Sequence, residues 1–596
     1  MSYTVVAVNP GHNGSTALLK NGKVEFYIEE ERLSRLKYDG NPFRGILEAI
    51  QKGPIDEIVI GGTSLELPVL PWTLENPYSA LVRKFYPNVK VSIKGNDHHL
   101  GHAAGAYYNS GFDTAVAIVV DGAGSYHGFK SSENPDEPSP NGFETESIFH
   151  CTDVNSIAPI YKSYGNNKCM GVKFKHEDTN FVFDDAVTIT KVYEAVSHYL
   201  GFGFVEAGKT MGLAPYGRYD ERMQDMFINS RANKNMIIPN YPSGAFIDAN
   251  RYSFFKYEEA HNEWHKNPAL VLDVFKNVAW MVQNQTQKLV GDLVEKAIDT
   301  TGEKNVVLAG GYGLNCVANY YLRKRFPDIN FYVDPVSHDG GTSIGLAKLA
   351  YFAYCKEKEI EPEKEKLDTL YLGIDRKFEI DQFAKFQGIS EDLKYDNTDV
   401  TPDQVAELIA EGNIVSIFQS RSEAGPRALG NRSIVYDPRV KDGKDIVNKV
   451  KGREWFRPFA GSVLKEDAAE WFDLAGMEES PFMMYAVDVQ PGKLGDIPAI
   501  THVDNTCRVQ TVSSEQNEHY YNLIKAFKDK TGCPVLFNTS FNLAGDPLVE
   551  TLFDAIATLE RSELKYMYLP EIGKLFTKLE RVKQEPVEDG KFEVVD

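Results

Sequence analysis

The sequence predicts an α/β protein of at least two domains. Short β-branched runs end at glycine turns, and the stretches that follow have helical character, a pattern of strand, turn and helix that recurs. A charge run without core positions, residues 355–368, separates that pattern from a second series of helix and strand signals. The length of 596 residues exceeds what one hydrophobic core usually organises.

Residues 3–9 form the first apolar run, which breaks at Pro10-Gly11. Residues 17–28 read as a hairpin around Lys20-Asn21-Gly22-Lys23. Buried strands are expected at 57–61 and 114–121, the second ending on Asp121 before Gly122-Ala123-Gly124. Residues 305–309 run into Gly310-Gly311, then a helical stretch from Asn315 to Arg325. Val274, Val278, Met281 and Val282 are spaced to bury one face of a long helix over 272–299. The charge run reads as a solvated helix end or linker and places a boundary near residue 375. Beyond it come a helix at 402–411 and strands at 413–418 and 534–537. The expected division is 1–375, 376–575 and an acidic tail over 576–596.

Hydrophobic residues make up 42% and charged residues 25%, the balance of a soluble globular protein. No run reaches the roughly 18 apolar residues of a membrane span, and the N-terminus reads as a strand, not a signal peptide. Cys151, Cys169, Cys316, Cys355, Cys507 and Cys533 lack paired spacing, which suggests reduced thiols and a cytoplasmic setting. Lys and Arg total 64 against 85 Asp and Glu, for a net charge of −21. Such a surface disfavours duplex DNA, while a local basic pocket for a nucleotide stays open.

His98 and His102 stand four apart, on one face of a helix, where two imidazoles can hold one ion or can serve as capping or core histidines. Asp121, at a strand end, and Asp339, before Gly340-Gly341, would complete a mixed nitrogen and oxygen set suited to iron, manganese or zinc rather than magnesium alone. The turn from Pro10 to Ser15, like Gly310-Gly311 and Gly340-Gly341, could let consecutive N–H groups cradle a phosphate, or could be a plain turn. In the C-terminal half Arg421, Arg427, Arg432, Lys451, Arg453 and Arg457 crowd together in an otherwise acidic protein, a pattern that fits anionic oxygen.

His98-His99-x-x-His102-Ala, VVDGAGS at 119–125, GKTMGLAPYG at 208–217, GGYGLN at 310–315 and HDGGTSIG at 338–345 resemble blocks of the NodU/CmcH-type O-carbamoyltransferase family. So do GPRALGNRS, KGREWFRPFAGSVL, HVDNTCRVQTV and NTSFNLAGDP further on. The resemblance runs from residue 5 to about 570. It implies an actin/hexokinase-like N-terminal domain, akin to the universal tRNA threonylcarbamoyl transferase, and a YrdC-like C-terminal domain. It implies His98, His102, Asp121 and Asp339 as ligands of a metal usually described as iron, with His99 a neighbour. His12 would take the acceptor's proton, and Lys209 would be a second active-site residue. Gly310, Gly311, Asn315 and Gly340 would face the nucleotide, and Arg427, Arg432, Lys451, Arg453, Arg508, Thr539, Ser540 and Asn542 would bind ATP and carbamoyl groups.

The implied reaction joins carbamoyl phosphate and ATP, with magnesium, into carbamoyl-adenylate and passes the carbamoyl group to a hydroxyl. The acceptor would be a sugar, a natural product, or hydroxymethylated cytosine in a nucleotide or DNA. Two pockets are expected, one for each step, and a homodimer is compatible with the sequence. A kinase or ATPase, or a nucleotide-binding partner without turnover, are the alternatives. Asn505, Asp546 and Glu550-Thr551 depart from the usual residues. Residues 125–185 and 218–270, the latter with Tyr241, Phe246, Tyr252, Phe254, Phe255 and Tyr257, match nothing well and are the expected shapers of the acceptor pocket.

Overall fold

A computed structural model describes residues 2–63, 75–128, 141–165, 172–176, 179–183, 188–203, 205–221, 273–362, 364–377, 379 and 395–579. The apolar run at the N-terminus becomes the strand Thr4–Asn9, central in a five-stranded sheet. Ser15–Lys20 and Lys23–Glu29 form the expected hairpin beside it, antiparallel, with Asn21 and Gly22 at φ 53° and 85°, the left-handed pair such a turn requires. Glu57–Ile60 and Lys90–Ile93 extend the other side in parallel.

The second sheet repeats this plan. Ala115–Val120 is followed antiparallel by Asn141–Asp153 and Ser156–Gly165, and on its other side runs parallel to Asn305–Ala309, itself parallel to Asn330–Val333. Two sheets with one order, an antiparallel meander then two parallel strands, make the duplicated core of an actin/hexokinase-like domain.

Between the sheets lie the helices His98–Ser110 and Thr342–Glu357. Val5 and Ala7 of the first sheet, Ala103 and Tyr107 of one helix, Ile344 of the other, and Ala117 and Val119 of the second sheet share one buried cluster. The helices cross so closely that a Cβ on Gly345 would fall 1.9 Å from the Gly101 carbonyl oxygen. That contact holds the two histidines at a set depth.

A third sheet, of ten strands, takes every strand from residues 395–578. Its central strands Val415–Phe418, Arg432–Tyr436, Val535–Ser540, Ala460–Leu464 and Thr506–Val512 carry most of the C-terminal motifs. Its last strand, Lys574–Lys578, crosses the expected boundary at 575, because Leu575 and Phe576 are buried apolar residues and not part of a solvated tail. Apolar contact is continuous between the halves: Phe202 meets Phe456 and Tyr216 meets Trp455. The aromatics between 241 and 257, Cys169 and residues 580–596 lie outside the described residues; the other five cysteines are buried free thiols. Among the described residues no helix is long and apolar enough to cross a membrane.

One buried cation braces the central helices. Lys348 Nζ donates to Asn109 Oδ1 at 2.8 Å, and burial pulls the amine down to about 8. Below pH 8 folded and unfolded chains both carry the proton, so the cost of burying it stands in full. As pH rises toward the ordinary 10.5, only the unfolded chain keeps it, and stability rises. Relative to Lys348→Met, the wild type should gain on the order of 3 kcal/mol between these limits, read from denaturant midpoints at each pH. A flat difference would contradict the assignment.

Candidate active site and metal centre

His98 and His102 project from the first two turns of their helix, Asp121 follows the strand Ala115–Val120, and Asp339 opens a short 3-10 turn before Thr342–Glu357. One ligand atom from each lies within 4.8 Å of all the others, and all four residues are buried. The two Nε2 atoms are 3.2 Å apart. His98 Nε2 is 3.4 Å from Asp121 Oδ2, and each Nε2 is 3.8 Å from Asp339 Oδ1. The other Asp121 oxygen accepts from the Gly311 amide at 2.9 Å, which turns Oδ2 toward the histidines.

Burial penalises charge here, yet Asp339 and the hydrogen bond to Asp121 outweigh it and lift His98 to about 9. Burial and the neighbouring His98 push His102 far down, and burial with the nearby Asp121 raises Asp339. The donor set fits an ion: two imidazole nitrogens and two carboxylate oxygens converge within 4.8 Å.

These carboxylates open onto a cavity of about 460 Å³, inside the range of roughly 300–1,000 Å³ usual for small-ligand sites. His12 lines it, with Nε2 3.5 Å from Asp339 Oδ2. Lys37, Lys191 and Glu194 share this end, and Lys191 pairs with Glu194 at 2.7 Å. Thr190 donates to the Asp121 carbonyl.

The same cavity is also walled by Arg427, Arg453, Arg457 and Arg508, together with Thr539, Ser540 and Asn542. Burial, then the neighbouring Arg508, pulls Arg427 down to about 9; burial with Arg457 and Arg508 holds Arg453 well below its ordinary value. Nε of Arg427 and of Arg508 is buried without a hydrogen-bond acceptor. Mutually repelling, under-satisfied guanidinium groups are a site prepared for an anion. Where two pockets were expected, residues from each set, among them His12, Asp121 and Asp339 with Arg427, Arg453 and Arg508, line one cavity.

Two family models match the chain: the carbamoyltransferase N-terminus over residues 78–348 and the carbamoyltransferase C-terminus over 406–574. Nodulation protein NolNO of Sinorhizobium fredii is 30% identical, over 93% of this chain and 77% of that protein. An uncharacterized Synechocystis protein is 30% identical, over 94% of both chains. The chain belongs to the carbamoyltransferase family. A 3'-hydroxymethylcephem-O-carbamoyltransferase of Streptomyces clavuligerus is also similar, 28% identical over 94% of this chain and 97% of its own.

Several residues named from the sequence sit elsewhere in this carbamoyltransferase than the cavity wall. Four glycine amides of the expected phosphate turns are engaged within the protein: those of Gly11 and Gly14 donate to Gly40 and Asp39, and those of Gly340 and Gly341 to His338. Gly311 and Asn315 line the cavity, whereas Gly310 and Gly340 do not, and the Asn315 amide is engaged with Gln283. Arg432 is fully buried, its guanidinium spent on the carbonyls of Gln419, Asn431, Ser420 and Glu550. Lys451 lies behind the wall and donates to Ser540 and Asn542, so it shapes the Thr539–Asn542 loop. Lys209 bridges Glu206 and Glu454 at 2.7 Å each, tying the two halves together. Sequence reasoning missed Lys37, Lys191 and Glu194, isolated charges without a motif, whereas Arg457, already visible in the arginine cluster, lines the cavity as that pattern suggested.

The crowded arginines make a prediction. Arg508→Met removes one buried charge, so the ligand-free protein should melt higher by about 1 °C, as roughly 1 kcal/mol of relief implies for a chain of 596 residues. Inorganic pyrophosphate should raise the melting temperature of the wild type and lose most of that effect in the variant. A lower melting point with an undiminished pyrophosphate shift would refute an anion site.

Proposed function

We propose that the enzyme activates carbamate with ATP and transfers the carbamoyl group to a hydroxyl, both in one cavity. The observation that carries this reading is that Asp121 and Asp339, the carboxylates of the converging ligand set, and the arginine wall line the same cavity of about 460 Å³. At the arginine end, carbamoyl phosphate and water yield carbamate and phosphate. A carbamate oxygen then attacks the α-phosphorus of ATP and displaces pyrophosphate. The guanidinium groups neutralise the negative charge of both reactants, and Lys451 keeps the Thr539–Asn542 loop in place beneath them.

At the other end His12 takes the proton of the acceptor hydroxyl as its oxygen attacks the carbamoyl carbon and AMP departs. Asp339, 3.5 Å away, stabilises the imidazolium that results. His98, His102, Asp121 and Asp339 would hold a divalent ion, with iron first and manganese or zinc next, which when bound would polarise the carbamoyl carbonyl as a Lewis acid. The relatives' names, a nodulation protein and a hydroxymethylcephem transferase, support a small hydroxyl-bearing acceptor. The net charge of −21 favours a sugar, natural product or mononucleotide over polymeric DNA.

His98→Ala should keep pyrophosphate release from ATP and carbamoyl phosphate yet lose transfer by at least about a hundredfold. Lys451→Ala should lose pyrophosphate release and still transfer from supplied carbamoyl-adenylate. The division of labour fails if both variants lose pyrophosphate release equally. ADP in place of AMP as product would point to a kinase.

A further inference from the structure

The ligands of the candidate metal centre reach it from separate elements, and one buried carboxylate fastens two of those elements together. Glu144, in the strand Asn141–Asp153, is fully buried. Its backbone holds the turn after Asp121 from both sides: the Glu144 amide donates to the Ser125 carbonyl at 3.1 Å and its carbonyl accepts from Gly124 at 2.8 Å. Its side chain reaches past that turn. Oε2 accepts from the Ser125 amide at 3.1 Å and from the His99 amide at 3.4 Å.

His99 lies in the first turn of the His98–Ser110 helix, whose own N-cap residue, Asp97, makes no side-chain cap. Ser125 Oγ accepts from the His98 amide at 3.2 Å, so the open N–H groups of this helix are met from the Asp121 turn and from Glu144. His99 adds a second tie. Its Nδ1 sits 2.7 Å from Ser147 Oγ, and its ring edge lies so close to Gly124 that a Cβ there would fall 2.5 Å from it. Oε1 of Glu144 takes the ammonium of Lys162, and His127 Nε2 stands 3.8 Å away. Burial pushes the Glu144 carboxyl up, but His99, His127 and Lys162 outweigh it and hold it ionised, well below the usual carboxylate range.

We infer that Glu144, neutralised by Lys162, is the positioning residue of the metal centre: it locks the N-terminus of the histidine helix to the turn that follows Asp121, and so sets the spacing of the two imidazoles from that carboxylate. The inference rests on reading His98, His102, Asp121 and Asp339 as metal ligands. Glu144 touches none of these side chains. It acts through the backbone of residues 98–99 and 124–125, the way outer-layer groups fix the orientation of metal-binding side chains. An amide in its place keeps one accepting oxygen but turns an N–H donor toward either Lys162 or the Ser125 and His99 amides, so one tie is lost in either orientation.

Manganese(II) titration by calorimetry on the full chain tests this. Wild type should bind one ion per chain, and Glu144→Gln should bind roughly 10- to 100-fold more weakly. Pyrophosphate release from ATP and carbamoyl phosphate, which on this reading depends on the arginine wall that Glu144 does not line, should be unchanged in the variant and shows that it is folded. Ser125→Ala, which removes only the hydroxyl over the His98 amide, should show a smaller loss of affinity and serves if Glu144→Gln proves insoluble. Unaltered manganese affinity in a folded variant overturns the role of Glu144 while leaving the metal reading intact. No manganese binding by the wild type removes the metal reading and this inference with it.

Discussion

Two imidazoles and two carboxylates buried within 4.8 Å of one another are the constraint around which the N-terminal half is organised. Left alone, such a group carries desolvation costs that only a shared proton or a cation relieves. The structure sustains it by rigidity. The histidines stand on a helix pressed to its neighbour at Gly345, and Asp121 is turned by the Gly311 amide. Ser15 Oγ donates to the Gly340 carbonyl in the turn that carries Asp339. Each ligand is thus held by backbone, where small shifts are costly, and the duplicated sheet order supplies the strand ends from which they project.

The opposite constraint governs the C-terminal half. There cations, not anions, are gathered against their own repulsion, within a chain whose net charge is −21. Acidic neighbours offset them only in part: buried Glu454 pairs with Arg457 at 3.4 Å, while Glu423 spends Oε1 on the amides of Leu429, Asn431 and Arg432. It shapes the loop and leaves Arg427 facing the cavity. Arg32 of the N-terminal half donates to the carbonyls of Glu423 and Gly425, so the position of that loop depends on both halves.

Much of this was legible in the sequence, for identifiable reasons. Strands with continuous β-branched runs, such as Ala115–Val120 and Asn305–Ala309, announce themselves because both faces are buried. The i,i+4 histidines and the strand-end aspartates are visible because their spacing is local. Which glycine amides stay free is not local: Gly11 and Gly14 are consumed by residues 39–40, a pairing that only tertiary structure reveals. The same holds for Arg432 and Arg427. They stand five residues apart in one motif, yet the first points into the sheet to bind carbonyls and the second into the cavity. Residue type predicts affinity for anionic oxygen, and only the fold decides whether that oxygen belongs to the protein or to a ligand.

Backbone conformation around the cavity points the same way. Asn13, Tyr38, Val205 and Met483 are non-glycine residues with φ between 57° and 61°, and all four line it. For Val205 the left-handed region is especially unfavourable, since its branched Cβ crowds the backbone there. Strain of this kind, about 1–3 kcal/mol at each site, persists only where surrounding contacts over-determine the chain. Around Val205 those contacts include Glu206, which accepts from the Gly203 amide and pairs with Lys209, itself bound to Glu454 of the other half. The bridge that ties the halves together therefore also holds a strained residue of the cavity wall in place. Shape at the site and contact between the halves are one mechanical system, which is why a lysine outside the cavity belongs in any account of it.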